Sequence, residues 1–155
     1  MWPGDLLPLR IPSAFAYHVF MSELNLTVDH IFLSVERLDR ARDFYSKALA
    51  PIGLGIIREV SAEQSGTVAL VGFGVGRKSS IWLAQSGRQT PATHICFRAP
   101  TRAAVRAFHQ AALEAGGEDN GKPGTRPAYH PAYYAAFVLS PEGHNIEAVC
   151  FEEEP

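Results

Sequence analysis

Ser140-Pro141-Glu142-Gly143-His144-Asn145-Ile146-Glu147-Ala148-Val149 reads as a tight turn feeding a final strand, and it leaves one carboxylate on a short apolar run. Strand alternation puts Asn145, Glu147 and Val149 on one face and Ile146, Ala148 and Cys150 on the other. The second face is the apolar one, so Glu147 points away from the expected core. A single Glu on a strand is most often a solvated residue. An internal repeat gives this one a second reading.

Aligning Asp29-His30-Ile31-Phe32 with Thr93-His94-Ile95-Cys96 sets an offset of 64 residues, the separation of His30 from His94. The same offset pairs Phe44 with Phe108, Ala48 with Ala112, Leu49 with Leu113 and Gly53 with Gly117. Near the end of each unit the offset drifts to 65, the separation of Trp82 from Glu147, and Ser80-Ile81-Trp82-Leu83-Ala84 falls on Asn145-Ile146-Glu147-Ala148-Val149. The chain is a duplication of about sixty residues. Each copy has a His on its first strand, but only the second has a carboxylate on its last.

In the first copy a strand over residues 27–35 turns Ile31, Leu33 and Val35 to the core and Val28, His30, Phe32 and Ser34 away from it. Leu38, Ala41, Phe44, Tyr45, Ala48 and Leu49 have helical spacing over residues 38–49, and Ala50-Pro51-Ile52-Gly53 stops that helix. Strands follow near residues 55–60, 67–73 and 80–85. The second copy repeats the order with a strand over 93–99 and a helix over 101–115, capped by Thr101 and ended by Gly116-Gly117. A weak strand near Asn120 gives way to a loop over 121–131, then an aromatic-rich strand over 133–139.

The expected fold is α+β, with two tandem βαβββ modules, residues 27–86 and 92–151, paired as curved sheets in one domain. Residues 1–26 have no counterpart in the repeat. They read as an N-terminal extension outside the core fold, with Met21-Ser22-Glu23 a plausible start, and residues 152–155 read as a tail.

Length and composition limit the function. A chain of 155 residues with 46% hydrophobic content suits one domain with its own core. A formal net charge of −2 without basic runs argues against a nucleic-acid partner. No apolar stretch reaches the roughly 20 residues of a membrane span, and Leu6-Leu7-Pro8-Leu9-Arg10-Ile11-Pro12 is too interrupted for a signal peptide. The two cysteines, Cys96 and Cys150, fall on opposite faces, which fits unpaired thiols in a cytoplasmic protein. Gly72-Phe73-Gly74-Val75-Gly76 precedes a hairpin turn instead of a helix, so it is read as a turn and not as a phosphate loop.

The repeat also proposes a site. If two curved modules pair about a pseudo-twofold axis, His30 and His94 stand on facing walls of one cleft, and Trp82 faces Glu147. Two imidazoles and a carboxylate suit catalytic Zn²⁺ or the facial triad of Fe(II), with coordination positions left open. Phe32, Cys96 and Arg98 share faces with the histidines, and Arg98 has the chemistry to hold an anionic group. Arg126, Tyr129, His130 and Tyr133 fall in or beside the long loop, where His130 or Tyr129 could act as general acid or base. His109 reads as a helix-surface residue, His144 as a turn residue, and His18 belongs to the extension.

Over residues 27–151 the chain resembles the vicinal oxygen chelate superfamily, which includes glyoxalase I, extradiol dioxygenases, and the fosfomycin and bleomycin resistance proteins. The motifs that carry the resemblance are Asp29-His30-Ile31 with Phe44-Tyr45, Thr93-His94-Ile95, Tyr133-Tyr134-Ala135-Ala136-Phe137, and the turn and strand through Glu147. The resemblance implies a divalent metal (Zn, Ni, Fe or Mn) on His30, His94 and Glu147. It further implies a small substrate bound through adjacent oxygens, with Phe32, Trp82, Cys96, Arg98, Arg126 and Tyr133 lining the site, and a homodimer. Where this chain has Trp82, glyoxalase I carries a second Glu. Isomerase, lyase, group-transfer or dioxygenase chemistry would fit such a site. The alternative is a protein that sequesters a planar small molecule without chemistry, as the bleomycin-binding relatives do.

Overall fold

Each repeat folds into its own four-stranded sheet in the computed structural model, which describes residues 28–154. The expectations for residues 1–26 and His18 lie outside the described residues. In the first module β1 (Ile31–Val35) leads to helix α1 (Leu38–Leu49), a 3-10 turn (Ala50–Ile52), β2 (Gly55–Val60), a one-turn helix α2 (Ala62–Ser65), β3 (Leu70–Val75) and β4 (Lys78–Gln85). The second module runs β5 (His94–Arg98), α3 (Arg102–Glu114), β6 (Glu118–Thr125), β7 (Tyr134–Leu139) and β8 (Asn145–Cys150). The sheet orders are β1-β4-β3-β2 and β5-β8-β7-β6. In both sheets the helical crossover leaves the first strand parallel to the last, while hairpins make the other pairings antiparallel.

The helices place the core between the two sheets. α1 buries Leu38, Ala41, Phe44, Tyr45, Ala48 and Leu49, and α3 buries Val105, Phe108, His109 and Ala112. α1 packs on α3, and a single apolar cluster takes in both helices and the inner faces of both sheets. Phe44 and Phe108, paired by the repeat, are both fully buried. The matched glycines that end the helical segments serve different ends. Gly53 takes a left-handed φ of 88° with open space around it, as a helix stop requires. At Gly117, a side chain would come within 2.5 Å of Val138 and 2.9 Å of Phe44, so the glycine is what lets module two's backbone close on α1.

Several local readings are corrected. β6 runs through Gly121-Lys122-Pro123-Gly124, expected as a loop; the ladder to β7 shifts register twice there, and an edge strand with bulges tolerates glycine and proline. The turn of α2 is set by a capping box between Ser61 and Gln64. His109, expected on the helix surface, is buried and paired with Asp119 at 3.0 Å. His144 is fully buried. Among the described residues no helix is long and apolar enough to cross a membrane.

Candidate functional site

The register of each sheet lines up one row of four residues on the face turned away from the helices. In module two the row is Cys96, Glu147, Phe137 and Gly121. In module one it is Phe32, Trp82, Gly72 and Arg58. In-register neighbours project to the same side of a sheet, so each row is the centre of a wall.

On the second wall Glu147 is the hub. It lies on the face away from the apolar core, yet only 3% of it is exposed, because neighbouring side chains close over it. The Tyr133 hydroxyl donates to Oε1 at 2.7 Å, and Oε2 stands 3.0 Å from His94 Nε2. Asn120 donates to Asn145 Oδ1 at 3.1 Å, which turns the Asn145 amide nitrogen to His94 Nδ1 at 2.7 Å. Nδ1 is thereby the acceptor, and Nε2 carries the proton that Glu147 receives. The carboxylate is thus held by two donors on a wall where His94 remains half-exposed.

Cys96 is exposed on the same row, but burial of its thiol, followed by the charge of Glu147, pushes the thiol up to about 12. It is a neutral lining group at neutral pH and not a nucleophile. Burial and the hydrogen bond to Glu147 likewise raise the Tyr133 phenol above its ordinary value, so it stays a donor.

The remaining residues singled out in the second module form the rim. Tyr133 packs edge-on against Tyr129 and Phe151, with ring centroids 5.4 and 5.1 Å apart. His130 packs on Phe151, and the Arg98 guanidinium lies 4.4 Å above the same ring while reaching Glu152 at 3.5 Å. Arg126 lies 5.6 Å from the Phe137 centroid and donates to the Lys122 and Thr125 carbonyls. Tyr133 is therefore the residue of this segment that touches the carboxylate; His130 accepts from Ala132 N–H within the loop, and Arg126 bonds back to carbonyls of β6.

His30 is not gathered with them. Its Nδ1 meets Asp29 Oδ1 at 2.8 Å, and Asp29 also takes the Lys78 ammonium. Among the described residues no group of three or more His, Cys, Asp or Glu is arranged to hold a metal. Among the described residues, Trp82 lines a cavity of about 560 Å³ whose walls all come from module one and do not include Glu147. The two modules meet instead at a groove of about 370 Å³, where Asp29 and Ile31 approach Ile95 and Cys96. The sequence reading missed Asn145, Asn120, Phe137 and Phe151. Asn145 was within reach, since it shares Glu147's strand face; Asn120 is placed by the bulged β6 ladder, which strand propensity does not reveal, and Phe137 by its register with Glu147 across β7 and β8.

The family model described as Glyoxalase/Bleomycin resistance protein/Dioxygenase superfamily matches residues 27–148. Among solved structures, a glyoxalase/bleomycin resistance protein from Albidiferax ferrireducens T118 is 22% identical with a TM-score of 0.62, covering 83% of this chain and 99% of that one. A glyoxalase/bleomycin resistance protein/dioxygenase family enzyme from Burkholderia phytofirmans PsJN is 18% identical, with a TM-score of 0.59 over 80% of this chain and 98% of that one. Glyoxalase I from Zea mays is 18% identical with a TM-score of 0.59, and the match covers 77% of this chain but 44% of the maize protein. No curated protein matches the chain.

Proposed function

The chain belongs to the glyoxalase/bleomycin resistance protein/dioxygenase superfamily, and from that premise we propose that it is a divalent-metal enzyme acting on a small substrate bound through adjacent oxygens. The observation that carries this reading is the buried Glu147 held against His94. His94 Nε2 and Glu147 Oε2 stand 3.0 Å apart at the same wall, so both could turn to one ion in place of each other. Imidazole with carboxylate suits Zn, Ni, Fe or Mn. His30 would complete the set, which requires it to leave Asp29 and approach His94 and Glu147.

When bound, the ion supplies a Lewis acid for the charge that develops on a substrate oxygen. The chain's own groups do the rest. Tyr133 holds Glu147 Oε1, and Asn145 fixes the His94 ring. The hydrogen bonds put the proton of the His94 ring on Nε2, so for Nε2 to hold an ion that proton would have to pass to Nδ1 and the Asn145 amide would have to turn its oxygen to it. The exposed rim of Tyr129 and His130 is the proposed route of a proton to and from substrate. Isomerisation, lyase chemistry and oxygen-dependent cleavage all fit these groups. A homodimer and a reducing, cytoplasmic setting for the free thiols Cys96 and Cys150 complete the proposal.

Calorimetric titration of untagged, chelator-treated protein with Zn²⁺, Ni²⁺, Mn²⁺ and anaerobic Fe²⁺ tests it. One ion per site is expected. His94→Ala and Glu147→Gln should each weaken binding at least tenfold. Stoichiometric binding that ignores both substitutions, or no binding by the folded protein, would remove the metal from the proposal.

A further inference from the structure

The cavity on the first module is a second chemical environment, and the His94–Glu147 pair takes no part in it. The six-membered ring of Trp82 lies against β3 at Gly72, where a Cβ would come within 2.9 Å of the ring and 2.6 Å of the Ser79 hydroxyl. Gly72 thus clears a seat in which the indole rests on the strand. Arg58, in register with Gly72 on β2, lines the same cavity. The hairpin between β3 and β4 has only Gly76 and Arg77 at its tip. Gly76 adopts a φ of 63°, the left-handed value a two-residue turn demands, and this sets Arg77 on the cavity's rim.

The charge of this wall is uneven. Asp29, the one acid lining the cavity, is taken by Lys78 and His30. Arg58 and Arg77 have no acidic partner among the described residues. A guanidinium presents a planar fork matched to a carboxylate, and an indole presents a broad apolar face. We propose that this cavity binds a planar aromatic carboxylate, its ring stacked on Trp82 and its anionic group held by Arg58 and Arg77. The proposal does not rest on the metal reading: Trp82, Arg58 and Arg77 take no part in the His94–Glu147 pair, Lys78 holds Asp29 whether or not His30 does, and the binding holds for chelator-treated protein.

The probe is 2-naphthoate, with the neutral isostere 2-naphthamide beside it, titrated calorimetrically into the full chain in the presence of chelator. Naphthoate should bind once per chain and at least about tenfold tighter than naphthamide, the ratio that one or more charge-assisted hydrogen bonds provide. Arg58→Gln and Arg77→Gln should each lower naphthoate affinity severalfold and together erase its advantage over naphthamide. Trp82→Leu should weaken both probes, Trp82→Phe should keep most of the affinity by retaining a ring, and His94→Ala and Glu147→Gln should change nothing. Equal affinity for the two probes overturns the proposal. So does no binding at millimolar naphthoate, retention of full affinity in the double arginine variant, or loss of binding in Glu147→Gln with survival in Trp82→Leu.

Discussion

The two walls share a backbone plan and differ at every position of the central row. Phe32 stands where the other module has Cys96, Trp82 where it has Glu147, Gly72 where it has Phe137, and Arg58 where it has Gly121. Each row seats one aromatic ring beside a glycine, since a side chain at Gly121 would come within 2.8 Å of Phe137 much as one at Gly72 would strike Trp82. In one row the ring is a half-buried platform, and in the other it flanks a buried acid. After duplication, the helix-facing side of the sheets is constrained by a shared core, whereas the outward side is free to diverge. One wall has become aromatic and cationic, the other acidic and hydrogen-bonded.

The largest expected effect tests the shared core. Phe44→Ala should cost about 3–5 kcal/mol, the usual range for removing a buried Phe ring. Because Phe44 packs beside Gly117 in the second module, that loss should be felt by both modules in one cooperative denaturant transition. Two separated transitions in the wild type would break the comparison at its root, since the modules would then have independent cores.

Next in size is Tyr133→Phe. It removes the donor to Glu147 Oε1 and leaves a buried carboxylate with His94 as its remaining side-chain donor. A hydrogen bond to a charged group is worth about 1.5–3 kcal/mol, and urea unfolding at neutral pH should show a loss in that range. An unchanged midpoint would mean that Glu147 is not held as a charged hub. Gly72→Ala should cost about 1–3 kcal/mol, the range for overpacking, by pushing the Trp82 ring off β3. The same change made in a Trp82→Ala background should cost clearly less. Equal costs in both backgrounds would separate Gly72 from the indole.

What the sequence disclosed follows from the same division. The repeat register, the βαβββ order of each module and the burial of Phe44 and Phe108 were legible because core positions keep their periodicity. The walls were less legible. Glu147 could be placed on a face, but its burial depends on Tyr133 and His94, which come from elsewhere in the chain. β6 was hidden by Gly121, Pro123 and Gly124, residues that an edge strand accommodates through bulges. His109 could have been found, because it lies four residues after Val105 and three before Ala112, within the buried stripe of α3. His144 could not, since Pro141-Glu142-Gly143-His144 has the composition of an exposed turn.

The smallest predicted effect concerns that histidine, whose repeat-mate by the 65-residue offset is Ser79, a hydroxyl at the edge of the open wall. Both His144 ring nitrogens are buried without a hydrogen-bond partner, and burial lowers the pKa of the ring from its ordinary value of 6.5. A depressed pKa in the folded state means that the unfolded chain takes up the proton first. Stability is therefore full above pH 6.5 and falls as pH drops through the folded-state value. Glu142, raised from 4.5 by burial, has the opposite sign, contributing stability at low pH that is lost as pH rises. Comparison with a variant separates the two. His144→Leu removes the buried nitrogens at similar volume, so it should match the wild type at pH 8 to within about 1.5 kcal/mol and gain on it over the window in which pH falls from 6.5 toward the folded-state value. Parallel stability curves for the two proteins over that window would show that His144 does not make the second module the acid-sensitive one.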